Sequence, residues 1–198
     1  MAKEWPGSGQ TGPDSASRGG GLTSHLTRLI LESDLCLADG EIDEARARLS
    51  AALASLPLGD KRRGIIRYRL GLVELEAGDY EAALEHFGEA RRIYEKAGLE
   101  DRTRACVWGK IAAKMGLGDW TGAVQELEGL RHSYEAAGQS DAAQWVSELM
   151  LALEPAIVGK KVRRIARARS VAELLPGEGA LLDRLLARLT KVNTDDRT

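Results

Sequence analysis

Apolar residues recur at helical spacing from Leu22 almost to the end of the chain, and the runs stop at glycine or proline. Leu26, Leu29, Ile30, Ser33 and Leu37 share one face of a first helix, which ends at Asp39-Gly40. A second runs from about Ile42 to Leu56 and stops at Pro57, whose ring cannot continue a helix. The third, about Asp60 to Ala77, carries two apolar stripes. Ile66, Leu70, Val73 and Ala77 form one, and Ile65, Tyr68, Leu72 and Leu75 form the other, rotated about the axis. A helix apolar on two sides is either sandwiched or keeps one face for a ligand. The fourth, Tyr80 to Ala97, ends at Gly98; the fifth and sixth end at Gly116-Leu117-Gly118 and Gly138, with glycine as the natural left-handed stop. Asp79 and Asp119 follow the inner glycines, where a side-chain acceptor caps the next helix. Ala143, Val146, Leu149, Met150 and Leu153 mark a seventh helix, predicted to be interrupted at Pro155. Val162, Ile165, Ala166, Ala172 and Leu175 mark an eighth, and Leu181, Leu182, Leu185, Leu186 and Leu189 a ninth. Nothing resembles a series of β-branched strands, so the class is all-α.

One short pattern recurs within this helical series. Gly40-Glu41-Ile42-Asp43-Glu44-Ala45 with Leu49, Gly78-Asp79-Tyr80-Glu81-Ala82-Ala83 with Phe87, and Gly118-Asp119-Trp120-Thr121-Gly122-Ala123 with Leu127 are one module, its glycines 38 and then 40 residues apart. Self-similarity at that period marks stacked units, because a single helical hairpin cannot bury its own apolar face. Leu70-Gly71, Gly78-Asp79-Tyr80, Ala83, Phe87 and Ala90 follow the order and spacing of the tetratricopeptide repeat, which this chain resembles. The likeness is closest over residues 64–97 and extends to 104–137 and 26–57, the last with its terminal Pro57. The period exceeds the family's ~34 residues. Arg67 stands where the family prefers tryptophan, and Ile111 replaces the first-helix glycine. Those departures resemble a longer-period subclass common in bacterial regulatory and scaffold proteins. The resemblance implies a right-handed α-solenoid of helix-turn-helix repeats with a degenerate C-terminal capping region.

Four segments follow. Residues 1–21, rich in glycine, serine and proline, have little to bury and form an expected flexible leader. Trp5 beside Pro6 either docks on a partner or belongs to a plain tail. Residues 22–138 hold three repeat hairpins, 139–192 a degenerate repeat with capping helices, and 193–198 a tail. The leucine stripe of the last helix is either the polar-backed cap a solenoid end requires or a seam for a homodimer.

The net charge of −2 argues against a chain whose overall field captures nucleic acid or membrane. No apolar run approaches the ~20 residues needed to span a bilayer, and residues 1–21 lack a signal peptide's apolar centre, which points to the cytoplasm. Cys36 and Cys106 lie 70 residues apart within helices and are expected as buried thiols, with neither disulfide nor metal role. His25, His86 and His132 are solitary, without ligand or triad spacing, and the latter two are expected on outer helix faces. Gly116-Leu117-Gly118 has neither a preceding strand nor the lysine of a phosphate loop. Glu74, Glu76, Asp79, Glu81 and Glu85 are expected as a solvated acidic face. No catalytic residue, cofactor or metal is therefore expected.

Two surfaces stand out. The resemblance implies that first helices line a concave groove, which puts Ile30, Tyr68, Leu72, Leu75, Trp108, Ala112 and Met115 on its wall. Family members that grip a chaperone's C-terminal carboxylate use a lysine and asparagines there, so this aromatic wall argues against that role and for an apolar peptide or amphipathic helix. The alternative is that Tyr68 and Trp108 simply pack between units. The second surface is basic. Lys160, Lys161, Arg163, Arg164, Arg167 and Arg169 occur within eleven residues without an acid, and on a helix Lys160, Arg163, Arg164 and Arg167 share a face. Such a stripe either meets an anionic partner, nucleic acid included, or is a solvated face. The expected function is a non-enzymatic scaffold, adaptor or accessory subunit that binds a protein or peptide, and the alternative is a regulatory module whose basic helix touches nucleic acid.

Overall fold

The computed structural model describes the backbone of residues 14–157 and side chains within residues 24–154. Seven helices occupy the described residues: α1 (Asp14–Asp39), α2 (Ile42–Ala54), α3 (Arg63–Ala77), α4 (Tyr80–Lys96), α5 (Glu100–Gly116), α6 (Trp120–Ala136) and α7 (Ser140–Ile157). Each packs on its sequence neighbours, and α3 also reaches α5, its counterpart in the next hairpin. The architecture is an all-α repeat solenoid.

Five of the six connections are one device. Gly40, Gly78, Gly98, Gly118 and Gly138 all have φ between 66° and 81°, a left-handed conformation that costs glycine little. The amide of the residue after each glycine donates to a carbonyl five positions back, at 2.8–3.0 Å: Glu41 to Cys36, Asp79 to Glu74, Leu99 to Tyr94, Asp119 to Lys114 and Gln139 to Tyr134. That bond closes the outgoing helix in a Schellman stop. The carbonyl of the same residue then accepts the first bond of the next helix, as from Ala83 to Asp79 at 3.0 Å. The expected caps are present: Asp79 Oδ1 accepts from the Ala82 amide at 3.1 Å and Asp119 Oδ1 from the Gly122 amide at 2.9 Å. The exception joins α2 to α3 through Pro57, where Asp60 Oδ1 accepts from the Arg62 amide at 2.8 Å and the third helix begins at Arg63.

Two clusters form the core. Leu26, Cys36, Ala45, Leu49, Ala52 and Leu56 of the first hairpin and its connection meet Ile66, Leu70 and Val73 of α3. Tyr68, Leu72 and Leu75, on the other flank of α3, join the cluster that runs through α4 to α7. Both stripes of the third helix are thus buried except at exposed Ala77 and half-buried Ile65, and α3 is sandwiched. Cys36 and Cys106 are buried free thiols.

Two boundaries differ from expectation. The first helix starts at Asp14, inside the stretch read as a flexible leader, and passes through Gly19-Gly20-Gly21. Three glycines have poor helix propensity, so nothing local in the sequence announces that extension. The seventh helix runs past Pro155 to Ile157, where one missing backbone donor does not end it. The eighth and ninth helices, the last leucine stripe, the basic segment and Trp5 lie outside the described residues.

Candidate functional site

The aromatic wall is not an open surface. Tyr68, Leu72, Leu75, Trp108, Ala112 and Met115 are all buried, Tyr68 at 1% and Trp108 at 0% exposure, while Ile30 is half-buried against the first cluster. The cause is packing between units. Trp108 meets Trp145 of α7 with ring centroids 5.1 Å apart, and its Nε1 donates to the Tyr134 hydroxyl at 3.2 Å. Tyr68 meets Phe87 edge-on at 5.5 Å. An indole whose one donor is satisfied and whose faces are covered is core, which corrects the assignment of these six side chains to a binding groove.

The open concavity lies over α3 instead. A cleft of about 590 Å³ is lined by the C-terminal half of α2, the Pro57 connection, one face of α3 and His86 of α4. Leu53, Leu56 and Leu70 give it an apolar floor, and Leu58 stands at its lip with 90% exposure. Arg46, Arg63, Arg67 and Glu74 supply its polar wall.

Each charged group there is held in place. Glu74, expected on a solvated face, is 4% exposed. Arg46 Nε donates to its Oε1 and Nη2 to its Oε2, both at 2.8 Å, a bidentate pair across α2 and α3. That hydrogen bonding, working against burial, drives the Arg46 guanidinium further up from its already high range. Arg63 Nη1 donates to the carbonyls of Leu53 and Leu56, at 2.9 Å each, and so closes the C-terminal end of α2 where Pro57 interrupts the chain. Arg67 pairs with Glu89 at 2.5 Å and lies 2.9 Å from His86 Nδ1. A guanidinium only donates, so Nδ1 accepts and the ring proton sits on Nε2. Burial first, and then Arg67, hold the His86 imidazole below its ordinary value, despite Glu74, Glu85 and Glu89 nearby. His86 is thus neither solitary nor on an outer face; His25 and His132 are exposed.

Sequence reasoning missed this site because its pairs are far apart in the chain. Arg46 and Glu74 are separated by 28 positions, and Arg67 and His86 by 19. The one available signal was Arg67 itself, a cation where the repeat prefers an aromatic. The equivalent place one unit on is different: Glu126 of α6 accepts from Lys110 at 2.5 Å and Lys114 at 3.1 Å. Burial opposes the Glu126 charge, but the two ammonium groups outweigh it and keep the carboxyl below its usual range. Among the described residues no group of three His, Cys, Asp or Glu side chains is placed to hold a metal ion, and no helix is long and apolar enough to cross a membrane.

The tetratricopeptide repeat family model matches residues 28–96, which span α3, α4 and most of the first hairpin. This stretch is a tetratricopeptide repeat. The cleft over α3 falls entirely within it. Tetratricopeptide repeats generally mediate protein–protein interaction, so a protein partner is the class of ligand this segment implies. No curated protein and no solved structure matches the chain.

Proposed function

We propose that the chain is a non-enzymatic scaffold or adaptor that receives a segment of a partner protein in the cleft over α3. The observation that carries this is the cleft itself: half-buried Leu53 and exposed Leu58 stand over buried Leu56 and Leu70, beside oriented donors, within the stretch that matches the tetratricopeptide repeat. An apolar side chain of the partner enters against the leucines. Its carbonyls or carboxylates meet Arg67 and the Nε2–H of His86. Anchors in a partly enclosed pocket concentrate binding energy, often ≥2 kcal/mol each. The ion pairs fix the walls without consuming the floor, and that division suits recognition better than catalysis.

A photo-crosslinking residue placed at Leu58 in the native host should capture one discrete protein, while the same residue at Leu117, at the tip of the α5–α6 turn, should not. With that partner in hand, Leu53→Asp should weaken binding at least tenfold and leave the circular dichroism spectrum unchanged. Capture at both positions alike, or binding indifferent to Leu53→Asp, would remove the cleft from the function. A second reading rests on the basic run Lys160 to Arg169: a regulatory module whose basic segment contacts nucleic acid. Co-purified nucleic acid, lost when Lys160, Arg163, Arg164 and Arg167 become glutamine, would favour it.

A further inference from the structure

The outer face of α1 carries an apolar pair that none of the described residues covers. Leu31 and Leu35 are 58% and 66% exposed, one helical turn apart. They point away from the side on which Leu26, Ser33 and Cys36 are buried against the first hairpin. Ser24, Thr27, Arg28, Ala38 and Asp39 share the exposed side, so the leucines form the centre of a stripe with small or polar ends. Its exposed ends differ in charge: Arg28 lies toward the N-terminus and Asp39 toward the C-terminus, while Glu32 between them is half-buried and paired with Arg48. Among the described residues Arg28 has an exposed contact to Glu32 at 3.8 Å and a neighbouring His25 at 3.2 Å.

We propose that α1 pairs antiparallel with α1 of a second copy of this chain. A two-fold axis beside Ser33 sets Leu31 against the partner's Leu35 and Leu35 against the partner's Leu31. The same operation places charge on opposite charge. Arg28 is five residues on one side of Ser33 and Asp39 six on the other, so the partner's Asp39 arrives about 1.5 Å from Arg28 along the axis. Both lie on the same flank of the leucine stripe, because successive residues turn by about 100°. A two-fold contact requires one patch to complement itself, and this stripe does: apolar on apolar at the centre, cation on anion at both ends. A parallel pairing would set Arg28 on Arg28. The contact is one helix wide, which is the size of a weak, reversible interface. It leaves the cleft over α3 unused, so it stands whether or not that cleft binds a partner.

Sedimentation velocity of the full chain tests this over a concentration series of ~1 to ~200 µM, the range for an interface this small. The expected result is a reversible monomer–dimer shift. Leu31→Glu with Leu35→Glu should abolish it, at exposed positions where folding is unaffected. Asp39→Arg alone should weaken dimerisation at least fivefold, and Arg28→Asp added to it should restore the parent behaviour. As a geometric check, mixing Leu31→Cys and Leu35→Cys chains should give disulfide-linked dimers faster than either variant alone. A monomer at every concentration would overturn the proposal. So would growth beyond dimers, a dimer indifferent to the leucine substitutions, or a dimer lost instead on Leu151→Glu at the exposed face of α7. Protection of Leu31→Cys from a maleimide reagent in the monomer would overturn it as well, by showing that the chain's own residues cover the stripe.

Discussion

The two flanks of α3 face two kinds of core. Toward α1 and α2 the buried residues are aliphatic or small: Leu26, Cys36, Ala45, Leu49, Ala52, Leu56, Ile66, Leu70 and Val73. Toward α4 to α7 they include Tyr68, Phe87, Tyr94, Trp108, Tyr134 and Trp145. The difference is one of fit. In the second core rings press into gaps left by glycines: a methyl group on Gly71 would stand 2.8 Å from the Phe87 ring, on Gly109 2.5 Å from the same ring, and on Gly64 2.9 Å from Tyr94. Phe87 is therefore clamped between two glycines, one in its own unit and one in the next. The aliphatic core has no such clamp among the described residues, and branched aliphatic side chains packed on alanines fill it. A core of aliphatic side chains tolerates volume-conserving exchange, whereas ring against glycine specifies a single register.

The largest effect should come from emptying the clamp. Phe87→Ala and Trp108→Ala should each destabilise the fold by ~3–5 kcal/mol. Ile66→Val, in the aliphatic core, should cost only ~0.5–1.5 kcal/mol. Urea melts with matched slopes measure all three. A Trp108→Ala variant as stable as the parent would show that the indole is not core, and would return it to the groove wall that the repeat resemblance implies. A smaller effect should follow from filling the gap. Gly109→Ala adds one carbon into the ring of Phe87 and should cost ~1–3 kcal/mol, while Phe87→Leu in the same chain should recover part of it. Additive losses in that pair would mean that the two residues do not share a register.

Much of this was legible in the chain, and the reason is local. The glycine turns, their capping aspartates and both stripes of α3 follow from spacing within one or two helical turns, and all are present. Groove and core were harder to separate. Tyr68 and Trp108 sit at matching positions in successive units, and that periodicity is identical whether the rings line a groove or pack between helices. What decides is Trp145, a residue 37 positions beyond Trp108 with no repeat signature around it. The cleft was illegible for a related reason. Glu74 is one of five acids on a short stretch, and only the fold shows that Arg46 selects it for burial.

The smallest expected effect separates the two regions by pH. His86 sits at the cleft on the aliphatic side, with its pKa held below the ordinary 6.5 chiefly by burial and then by Arg67. The unfolded chain then binds more protons than the folded one just beneath pH 6.5, and stability falls as pH drops through that window toward the folded value. Above about pH 6.5 the full stability is present, because neither state carries the proton. The aromatic region should be silent there, since burial pushes Tyr134 above the ordinary phenol range and, against burial, Lys110 and Lys114 hold the Glu126 carboxyl below its usual range, both away from that window. Urea midpoints at pH 7.5 and 5.5, chosen to bracket an ordinary histidine, should therefore differ more for the parent than for His86→Gln. His132→Gln, at an exposed position, should keep the parent's difference. If His86→Gln retains the full pH dependence, the imidazole is not desolvated and the cleft wall is wetter than the Arg67 contact implies.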